Sequence, residues 1–265
     1  GSHRFHCWKR HGHGEVNLKQ ALAVSCDVYF YEIARKVGID KISEMARRFG
    51  LGTKEGIELP FEKSGLIPTK SWKQRIFGQP WQLGETILVG IGQSYVQLTP
   101  LQMAMMTARL VNGGYFVHPT LIKKTTKELQ KPEKIKINKH YLQLVNEGME
   151  AVVNETYGTA GRAKIDGNLG KMGGKTGTTQ VKRITREERE SPDFDQKEIP
   201  WNEKSHALFV GYAPADKPKY AIAVIVEHGG GGSAVAAPIA SQVLEYMLLL
   251  DKQDKKDKKH RENKQ

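Results

Sequence analysis

Three short stretches of this chain carry side chains with the means to do chemistry. The first is Lys175-Thr176-Gly177-Thr178, inside Met172–Val181. It sets a cation among hydroxyls around a glycine. Thr, Gln and Val suit a strand, and glycine inside a strand marks a bulge or the close approach of another backbone. An extended peptide can run beside such a strand, bonded through its main chain. Lys175 can then hold an anion while Thr176 and Thr178 donate hydrogen bonds to it. On spacing alone, a Gly-rich turn with a solvated lysine accounts for the triplet as well. The second stretch is Ser25-Cys26-Asp27, a polar break between two apolar helical runs. A serine near a lysine can relay a proton, because a neighbouring cation lowers the cost of moving one. On spacing alone, Ser25 reads instead as a helix-capping hydroxyl. The third is Cys7, His13 and Cys26, in the pattern Cys-x5-His-x12-Cys. Thiolate and imidazole are zinc ligands, usually four around a tetrahedral ion. Two free buried thiols and a surface histidine are the alternative.

The elements that must position these residues follow from caps and periodicity. Asn17 caps a helix through Leu18–Val24. A second helix runs from Val28 to Val37 and stops at Gly38. Asp40 starts a third, which ends at Gly50. Residues 51–93 are punctuated by Gly and Pro without a clean period and read as loop. Thr99-Pro100 opens a helix over Leu101–Val111, in which Met103, Met105 and Met106 suit core filling. Residues 115–124 read as a short strand or hairpin arm, Lys139–Asn154 as an amphipathic helix, and Gly158–Gly170 as a loop. After the Lys175 strand, residues 182–204 read as a mobile surface insertion. Ala207–Ala213 and Tyr220–Val226 form a hairpin. After the four glycines 229–232, a last helix starts near Ser233 and runs through Leu250. Helices, then three strands, then a helix give an α+β class, an antiparallel sheet flanked by helices.

Composition narrows the function. The chain has 265 residues, 38% hydrophobic and 26% charged, enough to bury a core. No apolar run approaches the roughly 20 residues of a membrane span. The net charge of +12 admits a nucleic-acid partner, but the basic residues are dispersed and no nucleic-acid-binding signature accompanies them. Nucleic acid is therefore excluded as a partner. Residues 251–265 are almost without apolar side chains and read as a disordered basic tail. Gly1-Ser2-His3 looks like a tag remnant, which leaves residues 4–250 as the domain. Two cysteines do not make a disulfide scaffold.

Ser25-x-Asp27 ahead of an aromatic helix, and Lys175-Thr-Gly-Thr178 on a later strand, resemble the second and third motifs of penicillin-binding transpeptidases. Trp8-Lys-Arg-His-Gly-His-Gly14, Ser25–Tyr31, Gly90-Ile-Gly-Gln-Ser94 and Leu98-Thr-Pro-Leu-Gln-Met-Ala104 are similar to the class B penicillin-binding protein 2 family of cell elongation. The likeness runs from about residue 5 to about residue 250, over the C-terminal part of the transpeptidase domain. It implies the fold shared with serine β-lactamases, and a D,D-transpeptidase that cross-links peptidoglycan through a serine acyl-enzyme. It implies that Ser25 relays a proton toward the leaving amine, and that Lys175 approaches it and sets the potential. Asp27, where many relatives carry Asn, contacts the substrate amide or the first-motif lysine. Thr176 and Thr178 bind the carboxylate of the stem peptide or of a β-lactam, the Thr178 N–H helps form the oxyanion hole, and Gly177 leaves room for the acyl chain. The chemistry requires no cofactor. A structural zinc beside the second motif is implied at Cys7, His13 and Cys26, with one further acidic ligand upstream.

The departure is the first motif, Ser-x-x-Lys, which carries the nucleophile. No serine of this chain has a lysine three positions on, and Ser71-Trp-Lys73 is off by one. The expectation is a domain truncated at its N-terminus and inactive alone. Its sheet lacks the early strands, and the exposed edge offers a homodimer contact. A non-catalytic penicillin-sensor or scaffold domain is the competing reading. Peptidoglycan stem peptides, β-lactams, and elongation-complex and glycosyltransferase proteins are the implied partners. The periplasmic face of the inner membrane is the implied location, with the anchor outside this sequence.

Overall fold

The computed structural model describes residues 5–123, 132–181 and 199–262. The tag remnant at 1–3 and most of the predicted insertion at 182–204 lie outside them. The chain divides into two compact units, residues 1–151 and 152–265.

The first unit is mostly helical. Helix α1 (Leu18–Ala23) is closed by a reciprocal capping box between Asn17 and Gln20. Helix α2 (Asp27–Val37) ends at Gly38, and α3 (Ile39–Arg48) starts there. Asp40 therefore sits in the first turn of α3 rather than at its cap. Two helices interrupt the stretch read as loop: α4 (Lys70–Phe77) and α5 (Leu83–Val89). Each is short, and a partly buried Lys73–Glu85 ion pair joins them. Their apolar residues are too few to show a period, but their capping devices stand in the sequence. Thr69 accepts from Trp72 N–H, and Glu85 accepts from Gln82 N–H. Helix α6 (Pro100–Val111) carries the Thr99/Gln102 capping box with proline in its first turn. Strand β1 (Tyr115–Phe116) pairs with β2 (Glu133–Lys134), shorter than the predicted arm. Helix α7 (Lys139–Asn154) has the predicted bounds and crosses into the second unit. Phe49, Ile135 and Leu142 form a small core, with Met106, Leu110 and Phe116 against it.

The second unit is the predicted sheet and its helix. Strands β3 (Gly173–Thr179), β4 (His206–Ala213) and β5 (Tyr220–Val226) pair antiparallel in that order. Lys175 faces Val210, and Thr176 faces Phe209. Helix α8 (Ala236–Glu262) packs on the sheet through Ala236, Ala237, Ala240, Leu244 and Leu248, which share a core with Ala207, Phe209, Val152 and Met172. Alternation along β3 places Thr176 and Thr178 on one face and Lys175 on the other. Gly174 must lack a side chain, since the Phe209 ring occupies the space of its Cβ.

The tail differs from expectation. Helix α8 continues through Glu262 instead of giving way at Asp251. Asp251, Asp254 and Asp257 each stand four residues before a cation, Lys255, Lys258 and Arg261. Such acid-to-base pairs support a helix that buries nothing. An ion pair from Lys219 to Asp251 anchors the start of this segment.

Candidate active site

Ser25 lies between α1 and α2 with φ +51°, in the left-handed region that a non-glycine residue rarely occupies. It does not cap α2: the N-cap is Cys26, and no side-chain cap bond forms. Trp8 holds this loop. Its indole Nε1–H donates to the carbonyl oxygens of Ser25 (2.9 Å) and Val24 (3.2 Å). Its backbone N–H donates to Asp27 Oδ2 at 2.8 Å. One Asp27 carboxylate oxygen thus orients the preceding segment, a bond the sequence does not reveal. The strained serine is held from two sides, as functional loops often are.

The same segment brings Cys7, His13 and Cys26 together. One potential ligand atom from each lies within 4.8 Å of the others. Cys7 Sγ and His13 Nδ1 are 3.3 Å apart. Both cysteines are buried and free. Burial and the nearby Lys9 lower the His13 pKa, against a smaller opposing pull from Asp27, which favours neutral imidazole. Burial raises the Cys26 thiol, as does Cys7, while the Tyr29 backbone N–H opposes them. The donors suit a divalent soft ion. Ligand atoms of a tetrahedral thiolate site stand about 3.5–4 Å apart, so small side-chain shifts would bring the set to that spacing. Among the described residues this is the one cluster of three such donors.

In the second unit, the third-motif residues lie on a regular strand rather than in a turn. Lys175 Nζ donates to the Thr176 carbonyl at 2.9 Å. Thr176 Oγ1 is 2.9 Å from Thr159 Oγ1, a residue between α7 and the 3-10 turn at Gly161–Ala163. The Thr159 carbonyl accepts from Ser233 Oγ. Thr178 Oγ1 accepts from Gly232 N–H at 3.4 Å. Gly232 is pressed so closely to the strands that a Cβ would overlap the Gly177 and Leu208 carbonyl oxygens. Thr159, Gly232 and Ser233 escape a sequence reading, because two loops far apart in the chain converge on β3 only in the fold. The four-glycine run was the one available signal of a close backbone approach.

Residues 1–245 match the family described as the penicillin binding protein transpeptidase domain. The chain belongs to this family. Among relatives of this penicillin-binding family, the peptidoglycan D,D-transpeptidase MrdA of Haemophilus influenzae is 40% identical over 253 residues, 92% of this chain and 38% of the relative. MrdA of Acinetobacter baumannii is 41% identical over 259 residues, 96% of this chain and 38% of the relative. Among solved structures, Pseudomonas aeruginosa PBP2 in complex with WCK 5153 matches with TM-score 0.79 and 37% identity, over 94% of this chain and 53% of that one. Helicobacter pylori PBP2 in complex with MreC matches with TM-score 0.80 and 34% identity, over 94% of this chain and 43% of that one. The chain spans about two fifths of the length of the curated relatives it matches.

Proposed function

We propose that this chain is part of a peptidoglycan D,D-transpeptidase of the penicillin-binding protein 2 type. The whole protein would cross-link stem peptides through a serine acyl-enzyme and be acylated by β-lactams. One observation carries this reading beyond family membership: Lys175–Thr178 forms an unbroken strand at the end of the sheet. That removes the solvated-turn alternative and offers main chain to an extended peptide. Thr176 and Thr178 bind the terminal carboxylate, and Lys175 supplies positive potential. Ser25, which lies one residue ahead of the α2 N-cap, relays the proton to the leaving amine. Asp27 anchors the Ser25 loop through Trp8. The Thr178 N–H serves as an oxyanion donor, a role worth roughly 3 kcal/mol where such donors have been removed. The nucleophile comes from a Ser-x-x-Lys motif that this sequence does not contain.

Cys7, His13 and Cys26 hold a structural zinc, with a fourth ligand outside this set. Bound there, the ion pins the loop that carries Ser25 and takes no part in the acyl transfer. Work at the periplasmic face of the inner membrane, beside elongation-complex and glycosyltransferase proteins, belongs to the same reading. The partners in that reading are supported by the H. pylori PBP2–MreC complex and by a peptidoglycan synthase complex whose matched chain is 31% identical to this one, with TM-score 0.73.

The test is labelling with a fluorescent penicillin followed by denaturing electrophoresis. The full-length protein is expected to carry the label, and its Lys175→Ala variant to lose most of it. The present chain alone is expected to stay dark. A full-length protein that resists acylation would leave a non-catalytic domain as the better account. A labelled present chain would refute the assignment of the nucleophile.

A further inference from the structure

We propose that Thr159 is a positioning residue for the carboxylate site. Its hydroxyl fixes the Thr176 hydroxyl as a hydrogen-bond donor toward the bound carboxylate. The inference rests on the transpeptidase reading above and adds to it a residue outside all three sequence motifs.

Thr176 Oγ1 and Thr159 Oγ1 are 2.9 Å apart, so one of them donates. A hydroxyl has one proton and two lone pairs. A carboxylate only accepts. If Thr176 gave its proton to Thr159, it would face the carboxylate with lone pairs, and the two would repel. Binding a carboxylate therefore selects the other direction: Thr159 O–H donates to Thr176 Oγ1, and Thr176 O–H donates to the anion. A donor whose own oxygen accepts a hydrogen bond is polarised and donates more strongly.

The arrangement works only if Thr159 cannot drift, and the fold holds it from three directions. Next to it, Ala160 is fully buried in the core under α8. The Ala160 N–H donates to the Val152 carbonyl at 2.8 Å. Ser233 Oγ, just before α8, donates to the Thr159 carbonyl. The β-branched side chain of Thr159 leaves few χ1 choices. The strand is fixed as well: Asn154 Nδ2 donates to the carbonyl of Met172, directly ahead of β3, at 2.8 Å. The second threonine has a parallel device, since Thr178 Oγ1 accepts from Gly232 N–H. Both hydroxyls on the α8 side of β3 thus receive a protein hydrogen-bonding group from behind. The ligand chemistry this suits is a small carboxylate at the end of a peptide or peptide mimic.

The test uses the full-length protein and two acylating agents, a penicillin with its free carboxylate and the methyl ester of the same penicillin. Acylation rates are compared for wild type, Thr159→Val and Thr159→Ser. Valine keeps the shape and removes the hydroxyl, while serine restores it. Thr159→Val is expected to slow the free acid about tenfold, the scale of one mispositioned hydrogen bond to a charged group, and to change the ester by less than about twofold. Thr159→Ser is expected to behave as wild type with both. Melting temperatures are read in parallel. Should the valine variant fail to fold, Thr159→Ala removes the same hydroxyl and carries the same expected split. Equal slowing with acid and ester marks a purely structural role and overturns the inference. So does an unchanged free-acid rate in a folded variant. A wild-type protein that neither agent acylates sinks the transpeptidase reading itself, and the inference with it.

Discussion

Arg109 and Glu55 offer a severe test of how the first unit is held together. Arg109 is fully buried, and Glu55 is 5% exposed. The guanidinium makes a two-point contact with the carboxylate, with Nη1 2.9 Å from Oε1 and Nη2 on Oε2. It also donates to the carbonyl oxygens of Phe49 at 2.7 Å and Val117 at 2.9 Å, and stacks 3.8 Å above the Phe116 ring. The perturbation is Glu55→Gln, which keeps the shape and leaves a buried cation without its counter-charge. Breaking one partner of a buried pair costs about 3–5 kcal/mol. Here the surviving carbonyl bonds and the aromatic face take up part of the charge, so the expected cost is about 3 kcal/mol, at the low end. In a unit of this size that is a drop of roughly 6–12 °C in melting temperature. Urea unfolding of the whole chain, followed by circular dichroism at pH 7, measures it. The double variant Glu55→Leu/Arg109→Met strands no charge, so it should lose less than the sum of the two single variants. A Glu55→Gln loss below about 1 kcal/mol, or strict additivity in the cycle, would show that the pair is effectively solvated and refute the reasoning.

Further outcomes follow from other contacts. Burial raises the Glu85 carboxyl, but bonds from Lys73, the Gln82 N–H and Tyr95 outweigh it and hold the pKa below the ordinary 4.5. A depressed acid stabilises the fold above its unfolded pKa and loses that contribution as pH falls through the folded value. The stability gap between wild type and Glu85→Gln should therefore be full at pH 7 and close below the ordinary carboxylate range. A gap that persists unchanged into strong acid contradicts this. Gly232→Ala should cost about 1–3 kcal/mol by overpacking, with faster amide exchange concentrated in β3. An alanine variant as stable as wild type would mean that the glycine loop does not press on the strand. Protein purified at neutral pH without added metal should contain about one zinc per chain, and Cys26→Ser should release it. Metal analysis that finds none removes the zinc proposal.

The sequence revealed those parts of the fold that are written locally. Asn17, Gly38 and Thr99-Pro100 mark helix ends by their own hydrogen-bonding and conformational habits, and all three lie at helix ends in the fold. The Lys175 strand and the 220–226 strand show in their residue types. Helices α4 and α5 did not show, because seven or eight residues give too little periodicity, although Thr69 and Glu85 sit where capping demands. At the end of α8 composition and spacing point different ways: few apolar residues suggest a disordered tail, while the spacing of acids and bases suits the helix that runs to Glu262. At the site, Cys7, His13 and Cys26 were legible as a donor set, and the structure gathers them. Thr159 was not, because its partner lies 17 residues away and no local rule joins a loop threonine to a strand threonine. The Arg109–Glu55 pair was hidden for the same reason, its members standing 54 positions apart.

The last core contact of α8 is Leu248, yet the helix runs on to Glu262. Asp251 and Lys252 still reach back to Lys219 and the Asn168 carbonyl, and the stretch beyond them, residues 253–262, amounts to a rod of roughly 15 Å. For anyone building with this domain, the rod is a natural spacer. A fluorophore or fusion partner joined at Glu262 would begin about three turns beyond the last contact of the helix with its unit, and the length of the offset could be set simply by choosing where to cut.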